Sequence, residues 1–582
     1  MKLIQFSFTC SRPVPFYAQL CNDYLANQQV EITIGYDKNR YLIEAVGNQA
    51  QLEALADQIA KDFLLSIWLI DSSIKEIRHR EGRVVPLVTS PHHLPFCSYC
   101  EPALGDNQSE LFGEIAIACS HCHGETSVEA SIDRQQIQQW AETVMNTGHV
   151  SFSLPLANNQ LHEFHLSRGP IEAAQRQRQR QQVIICNPNN VPMHFIVPSL
   201  HVLALSSLEK ARVTVRAKRH HAQLDQPLYD LCFSYNRVLT VLTEMLRVRG
   251  IDYLHIETNH QQPLIARINK GWSQVCSDPV IHPLVPFKSV EPLHDQACIN
   301  GLNAYWSKRR IRFDYQPNHP NDASPQTLPI CALHGGMLES GVGRHSAAIY
   351  FGRYGAGEIV SQDKFTRTDT FLVMPTLPQS GSEMIATLAA GEQAEVLAKF
   401  KYQIPVSYNA LNKLILNECN DQLSGLFALV ATVLGLSKSG HDSVQYLNDA
   451  LIAKSLHNAD NQGHRVDFSL DMVDGKRTID WAKMVGSLMS FCLVVDEVDY
   501  DKIAFGVMDS LADYIANWIE RMDETSGIKA VTLAGSDFAN EVLADRVCLR
   551  VGKNYPIVVN RKLELDGSNL SAGALFLKMR RR

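Results

Sequence analysis

Cys97-Ser-Tyr-Cys100 and Cys119-Ser-His-Cys122, with 18 residues between them, decide how this chain is read. The spacing is that of a four-thiolate zinc site. One C-x2-C turn brings two thiolates to neighbouring vertices of a tetrahedron, and a second turn closes it. A closed site of this kind staples a loop-rich segment and offers no open position for catalysis. The rival reading is four free thiols. His121 and His123 are rival ligands that read instead as solvent-facing neighbours of the knuckle. The other ten of the 14 cysteines are scattered, and those in apolar runs, such as Cys186 and Cys492, read as small buried hydrophobes.

On the N-terminal side of this knuckle the periodicity predicts a strand at Leu3–Phe8 and a helix after Ser11-Arg12-Pro13. Strands follow at Val30–Gly35 and Tyr41–Val46, then a helix with the stripe Leu52, Leu55, Ile59 and Phe63, then a strand near Ile74–Arg78. That β-α-β-β-α-β order is the ferredoxin-like pattern. On the C-terminal side, residues 133–316 mix helices (Ile137–Met145, Leu228–Val248) with short strands (His149–Leu156, Val183–Cys186, Arg212–Ala217), as in a larger α/β domain. Gln316–Pro329 reads as a linker. Beyond it, strands at Ala348–Phe351, Lys529–Ala534 and Pro556–Asn560 alternate with long helices, among them Gly425–Leu436, Val444–Ala459 and the amphipathic Val507–Arg521.

The expected fold is therefore α/β multidomain, divided as 1–83, the knuckle segment 84–130, 131–317 and 318–582. A chain of 582 residues predicts about four domains. Lys and Arg number 54 against 61 Asp and Glu, a net charge of −7, which speaks against a nucleic-acid partner. The longest apolar run, near Phe427–Leu436, is about half a membrane span. The N-terminus lacks an apolar signal region, so the expected location is cytoplasmic, away from membranes. The motifs of P-loop, Rossmann, H-E-x-x-H and G-x-S-x-G enzymes do not occur. Gly341-Val-Gly343-Arg-His-Ser reads as a turn, and Lys218-Arg219-His220-His221 as a solvated charge run.

A small ferredoxin-like unit, a knuckle with this spacing and two α/β domains, in that order, resemble one family: HypF, the carbamoyltransferase of [NiFe] hydrogenase maturation. The resemblance runs in patches over nearly the whole chain. It implies an acylphosphatase-like first domain in which Ser11-Arg12-Pro13-Val14-Pro15-Phe16 matches the phosphate loop and Arg12 the catalytic phosphate ligand. The family's carboxamide on the next strand falls near Thr33 or Ile34, and its second knuckle has no counterpart, so one zinc is implied. It implies a YrdC-like domain closed by Ser307-Lys-Arg-Arg-Ile-Arg-Phe-Asp-Tyr-Gln-Pro317, with Phe313 where the family has Gly.

The resemblance also implies an ASKHA-type (sugar-kinase-like) C-terminal domain. Leu426–Leu436 matches a family helix with Ala428 in place of Asp, and Thr532–Asn540 matches a nucleotide-binding strand and turn. Gly535, Asn540, Asp566 and Gly567 are the matching cofactor-binding positions, with Asp566 the metal-ligating Asp. The paired histidines that accompany it in the family are not found; His345 and His441 are the residues that would replace them. Leu333-His334-Gly335-Gly336 is the nearest candidate for the phosphate loop.

Two functions from different classes follow. One is an ATP- and Mg-dependent enzyme that passes the carbamoyl group of carbamoyl phosphate to the C-terminal cysteine of a HypE-like maturation protein. The other is a paralogue with reduced or lost catalysis, a zinc-containing scaffold or regulator in metalloenzyme assembly. An unrelated transferase on a sugar-kinase-like fold is a third.

Overall fold

In the computed structural model, all residues are described except 89–93, 123–131, 156–160, 172–179, 221, 260–261, 277–286, 289–290, 292–294, 317, 325–326, 344, 364–366, 439–441, 459, 461, 495–498 and 578–582. His123, His221, Pro317, Arg344 and His441 thus lie outside the described residues. The chain forms two compact units. The first comprises 1–171, 181–225 and 229–263; the second comprises 172–180, 226–228 and 264–582.

The first unit opens with an antiparallel sheet in the order Glu31–Asp37, Arg40–Gly47, Lys2–Cys10, Leu69–Glu76, with helices Pro15–Tyr24 and Gln49–Asp62. This is the ferredoxin-like arrangement that the alternation predicts. Asn48 starts the second helix through a capping box with Gln51. Phe63 stacks on Phe8 at 4.1 Å, closing the core beneath the sheet. The last strand lies earlier than the predicted Ile74–Arg78. It is an edge strand whose Ile70, Asp71 and Ser72 are all exposed, so it carries no period-2 signal.

Beyond the knuckle, six strands of the same unit lie in the order Arg212–Ala217, Leu228–Cys232, Gln182–Ile185, Tyr253–Thr258, Leu161–Ser167, His149–Pro155. Helices Arg134–Thr147 and Arg237–Val248 accompany them. The predicted single helix Leu228–Val248 is corrected here to a strand and a helix. Leu228–Cys232 is buried throughout and pairs in parallel with Gln182–Ile185, and a short fully buried run cannot be told from helix by periodicity. Asn236 then caps the helix by accepting from the Leu239 amide.

The second unit contains the hairpin Leu264–Ile268/Gly271–Gln274 and a meander of Gln296–Ile299, Leu302–Ser307 and Arg310–Tyr315. The Ser307–Tyr315 stretch is thus a hairpin turning at Lys308 and Arg309, both at positive φ as a type I′ turn requires. A five-stranded sheet follows in the order Thr368–Val373, Glu358–Gln362, Ser346–Tyr350, Ala530–Ala534, Ile557–Val559. Its first three strands are antiparallel and its last two pairings parallel, the sugar-kinase-like pattern. Helix Leu423–Val433 is buried on nearly every side, which explains its apolar run: it is core. Among the described residues no helix is long and apolar enough to cross a membrane.

Candidate functional site

The four knuckle cysteines converge. Their Sγ atoms all lie within 4.8 Å of one another, and all four residues are buried. Neighbouring sulfurs are 4.0 Å (Cys97–Cys100), 3.7 Å (Cys97–Cys119) and 3.6 Å (Cys100–Cys122) apart. A tetrahedral zinc with Zn–S bonds of about 2.3 Å needs sulfurs about 3.8 Å apart, so the set fits that ion. Among the described residues it is the one group of three or more metal-ligating side chains. The Cys122 and Cys97 thiols and the charge of Arg237 hold Cys100 far below the ordinary thiol range, favouring the thiolate that a metal requires. His121 is not a ligand but stacks on Tyr99 at 3.8 Å.

Arg237, a residue that the sequence reading passed over, ties this knuckle down. It is 0% exposed at the start of its helix. Its Nε donates to the Pro95 carbonyl at 2.6 Å, and Nη1 to those of Ile115 and Ile117, each at 2.7 Å. Nη2 stands 3.9 Å from Cys100 Sγ. One cation thus satisfies the carbonyls of both knuckle arms and offsets thiolate charge. The helix-cap signature at Asn236 was legible; that the next residue turns inward was not.

Arg12 is also buried. Its guanidinium lies over Trp68, 3.4 Å from the ring centroid, and its charge acts on the part-buried Glu209, whose carboxyl is still raised above the ordinary range by desolvation. Glu209 is itself fixed by the Ser66 hydroxyl at 2.5 Å and the Ile67 amide at 3.0 Å. The loop amide of Val14, which the resemblance would aim at a phosphate, donates to the Tyr41 hydroxyl at 2.8 Å. Thr33, near the position of the family's carboxamide, gives its hydroxyl to Glu44 at 2.9 Å.

In the second unit the parallel strands Ser346–Tyr350 and Ala530–Ala534 deliver their C-terminal loops to Asp566. This carboxylate is fully buried. Its Oδ1 accepts from Tyr350 Oη at 2.9 Å, and its Oδ2 from the amides of Arg353 at 2.9 Å and Ser536 at 3.2 Å. Asp537 is only partly buried as a residue, but its Oδ2 is shut off from water and has no hydrogen-bond partner. Burial, with Asp566 as a second cause, pushes Asp537 up to about 7 against the opposing charge of Arg180.

Gly535 and Gly567 flank Asp566. Gly535 sits at φ 105°, and a Cβ there would lie 2.0 Å from the Phe351 carbonyl oxygen. A Cβ at Gly567 would lie 2.4 Å from Glu564 Oε2. The space beside each glycine is therefore filled by protein. Asn540 stands apart as the buried N-cap of helix Glu541–Val551, accepting from the Leu543 amide. His345 bonds the Ser526 carbonyl at 3.1 Å. Leu333-His334-Gly335-Gly336 is not a loop but the interior of helix Leu328–Ser340, where Gly335 lets the Asn569 carbonyl approach. Gly341 ends that helix at φ 69°, in keeping with the turn reading.

Residues 424–574 match the HypF family profile described as carbamoyltransferase, Kae1-like domain, second subdomain. Protein HydE of Wolinella succinogenes is 25% identical over 372 residues, which is 62% of this chain and 62% of that protein. The chain is thus matched to less than two thirds of that relative's length. Two solved structures share the fold. Full-length HypF in a phosphate- and nucleotide-bound form aligns with a TM-score of 0.59 at 12% identity, over 100% of this chain and 98% of its own. T. kodakarensis HypF aligns with a TM-score of 0.66 at 11% identity, over 100% and 99%. Residues 424–574 thus match a HypF family domain, and the fold of HypF is shared along the length of the chain.

Proposed function

We propose that the chain acts in [NiFe] hydrogenase maturation as a HypF-like protein whose own carbamoyl chemistry is reduced or lost. In the family the reaction is ATP-dependent transfer of the carbamoyl group of carbamoyl phosphate to the C-terminal cysteine of HypE. The observation that carries the reading is Asp566: in the position of the metal-ligating Asp, it spends its oxygens on Tyr350, Arg353 and Ser536. Arg12, with its guanidinium on Trp68 and the neighbouring Val14 amide given to Tyr41, supports the same conclusion for phosphate. What remains is a zinc-stapled, cytoplasmic protein whose partner is a HypE-like maturation protein. On this reading residues 1–83 form the acylphosphatase-like part, 84–130 the zinc segment, 131–317 the YrdC-like part and 318–582 the carbamoyltransferase-like part.

The test mixes the zinc-loaded full chain with carbamoyl phosphate, ATP, Mg²⁺ and a HypE-like acceptor. Mass spectrometry then reads the acceptor's C-terminal cysteine, and size exclusion reads the complex. A complex without carbamoylation supports the scaffold reading. Multiple turnovers of carbamoyl transfer would overturn it.

A further inference from the structure

Helix Ser199–Leu205 of the first unit, Ser-Leu-His-Val-Leu-Ala-Leu, carries no Lys, Arg, Asp or Glu. His201, Ala204 and Leu205 are buried, and the helix packs on strand Arg212–Ala217. That contact accounts for one face only. Leu200, Val202 and Leu203 are exposed, and so are Met193 and Ile196 just before them, from 39% for Ile196 to 65% for Met193. From Pro192 to Leu203 the one polar residue among the exposed positions is Ser199. A helix that is apolar on every side belongs to an interior, and an exposed cluster of this kind marks a contact surface.

The rim of the cluster is cationic. Strand Phe195–Ile196 pairs antiparallel with the end of Arg212–Ala217 and sets Ile196 opposite Arg216, on one face of the pair. The Lys218 amide donates to the His194 carbonyl at 2.7 Å, and its Nζ to the Pro192 carbonyl at 3.1 Å, which brings the ammonium to the backbone next to Met193. Lys218, Arg219 and His220 are all exposed. Between Asn187 and His220 the charged residues are Lys210, Arg212, Arg216, Lys218 and Arg219 against Glu209 alone, which Ser66 and Ile67 already hold. Asp252, the carboxylate that reaches this corner, is taken by Asn187, Asn190 and His194. The corner is thus locally positive on a chain of net charge −7.

We propose that the face formed by Met193, Ile196, Leu200, Val202 and Leu203 docks an acidic amphipathic helix of a partner protein. The partner's apolar stripe covers this face, and its carboxylates meet Arg216, Lys218 and Arg219. A helix suits the site because Ser199–Leu205 offers side-chain ridges, whereas the two residues of Phe195–Ile196 are too short to template another strand. A membrane suits it less: a helix of seven residues without a cation of its own is a poor interfacial anchor, and anionic lipid repels a chain of negative net charge. The proposal rests on this face alone and holds whether or not carbamoyl transfer survives.

The test is fluorescence anisotropy of the zinc-loaded full chain with a labelled synthetic helix of about five turns, Leu at i, i+3, i+4 and i+7 and Glu on the flanks. The control peptide carries Lys in place of every Glu. Wild type is expected to bind the acidic peptide at least about tenfold tighter than the control, with the difference shrinking as salt is raised. Leu200→Ser/Leu203→Ser is expected to weaken the acidic peptide about tenfold, and Lys218→Glu/Arg219→Glu to reverse the preference. All four positions are exposed, so both variants should keep the wild-type zinc content and thermal midpoint. Absent or equal binding of the two peptides, or binding that neither variant changes, would overturn the proposal. So would phosphatidylglycerol vesicles bound through Leu200 and Leu203, or a wild-type dimer that the leucine variant dissolves in sedimentation velocity. The face would then belong to a membrane surface or to a second copy of this chain.

Discussion

Arg237→Met tests how the zinc knuckle is held. Methionine keeps most of the side-chain volume, so the cavity contribution is small and the loss is one of polar contacts. Three carbonyls, of Pro95, Ile115 and Ile117, lose their donor in a site without water access to the guanidinium. Each buried acceptor left unpaired costs about 1–3 kcal/mol. Such losses are not additive, and removing one member of a buried charged network costs about 3–5 kcal/mol in all. The zinc site loses a cation 3.9 Å from Cys100 Sγ, an outer-shell partner of the kind whose removal weakens metal binding about 10–100-fold. Chelator competition on the purified chain measures the zinc affinity. The apparent thermal midpoint, used comparatively because a chain of two units need not unfold in one step, measures the stability. Zinc affinity within twofold of wild type, with an unchanged midpoint, would refute the role given to Arg237.

Gly535→Ala places a methyl 2.0 Å from the Phe351 carbonyl oxygen at φ 105°, so it should destabilise by more than about 3 kcal/mol and lower the midpoint of soluble protein. Asp537 titrates higher folded than unfolded, so the folded chain holds the extra proton between the ordinary Asp range and about 7. Its contribution to stability therefore falls as pH rises through that window and is flat above it. Asp537→Asn should raise the midpoint relative to wild type at pH 8 and narrow that gap at pH 5; a constant gap would contradict the assignment. Zinc analysis of the wild-type chain should give one ion per molecule, falling to substoichiometric in Cys100→Ser.

The parts legible in the sequence are those whose signal is local. Four identical ligands at fixed spacing announce the zinc knuckle without reference to the fold. The ferredoxin-like order follows from alternation and a helical stripe within 80 residues. Two hairpins also had local signals, Asn300-Gly301 and Asp474-Gly475, each at positive φ and flanked by strands, yet the reading did not use them. The hairpin turns at Lys38-Asn39 and Asn269-Lys270 adopt the same geometry without the favoured glycine, and only the fold shows them. Arg237 and Arg180 were illegible for a different reason. An arginine at a helix start, or within a Gln- and Arg-rich tract, reads as solvated, and only tertiary packing supplies the carbonyls or, for Arg180, the Asp449 carboxylate that make burial tolerable.

The same packing bears on whether Arg12 is a phosphate ligand. The knuckle does not hang free of the ferredoxin-like part: Tyr99, between its first two cysteines, donates to Asp62 at 2.5 Å, as does Tyr24. Asp62 ends the helix that leads through Phe63 to Ser66 and Trp68, and Ser66 and Ile67 fix Glu209. Lys210, next to Glu209, lies over Phe96 beside the first knuckle turn. Glu209, Trp68 and the knuckle are therefore linked in one joint, and Arg12 lies against its Trp68. A phosphate entering beside Arg12 would bring at least one negative charge close to a carboxylate that the joint holds in place. Where Glu209 is ionised, that repulsion is stronger than it would be in bulk water. Glu209 cannot swing away without abandoning the Ser66 and Ile67 contacts. The guanidinium at position 12 thus rests on Trp68 beside Glu209, as the Asp566 oxygens are taken by Tyr350 and the Arg353 and Ser536 amides, and both follow from groups of the chain itself rather than from residues it lacks.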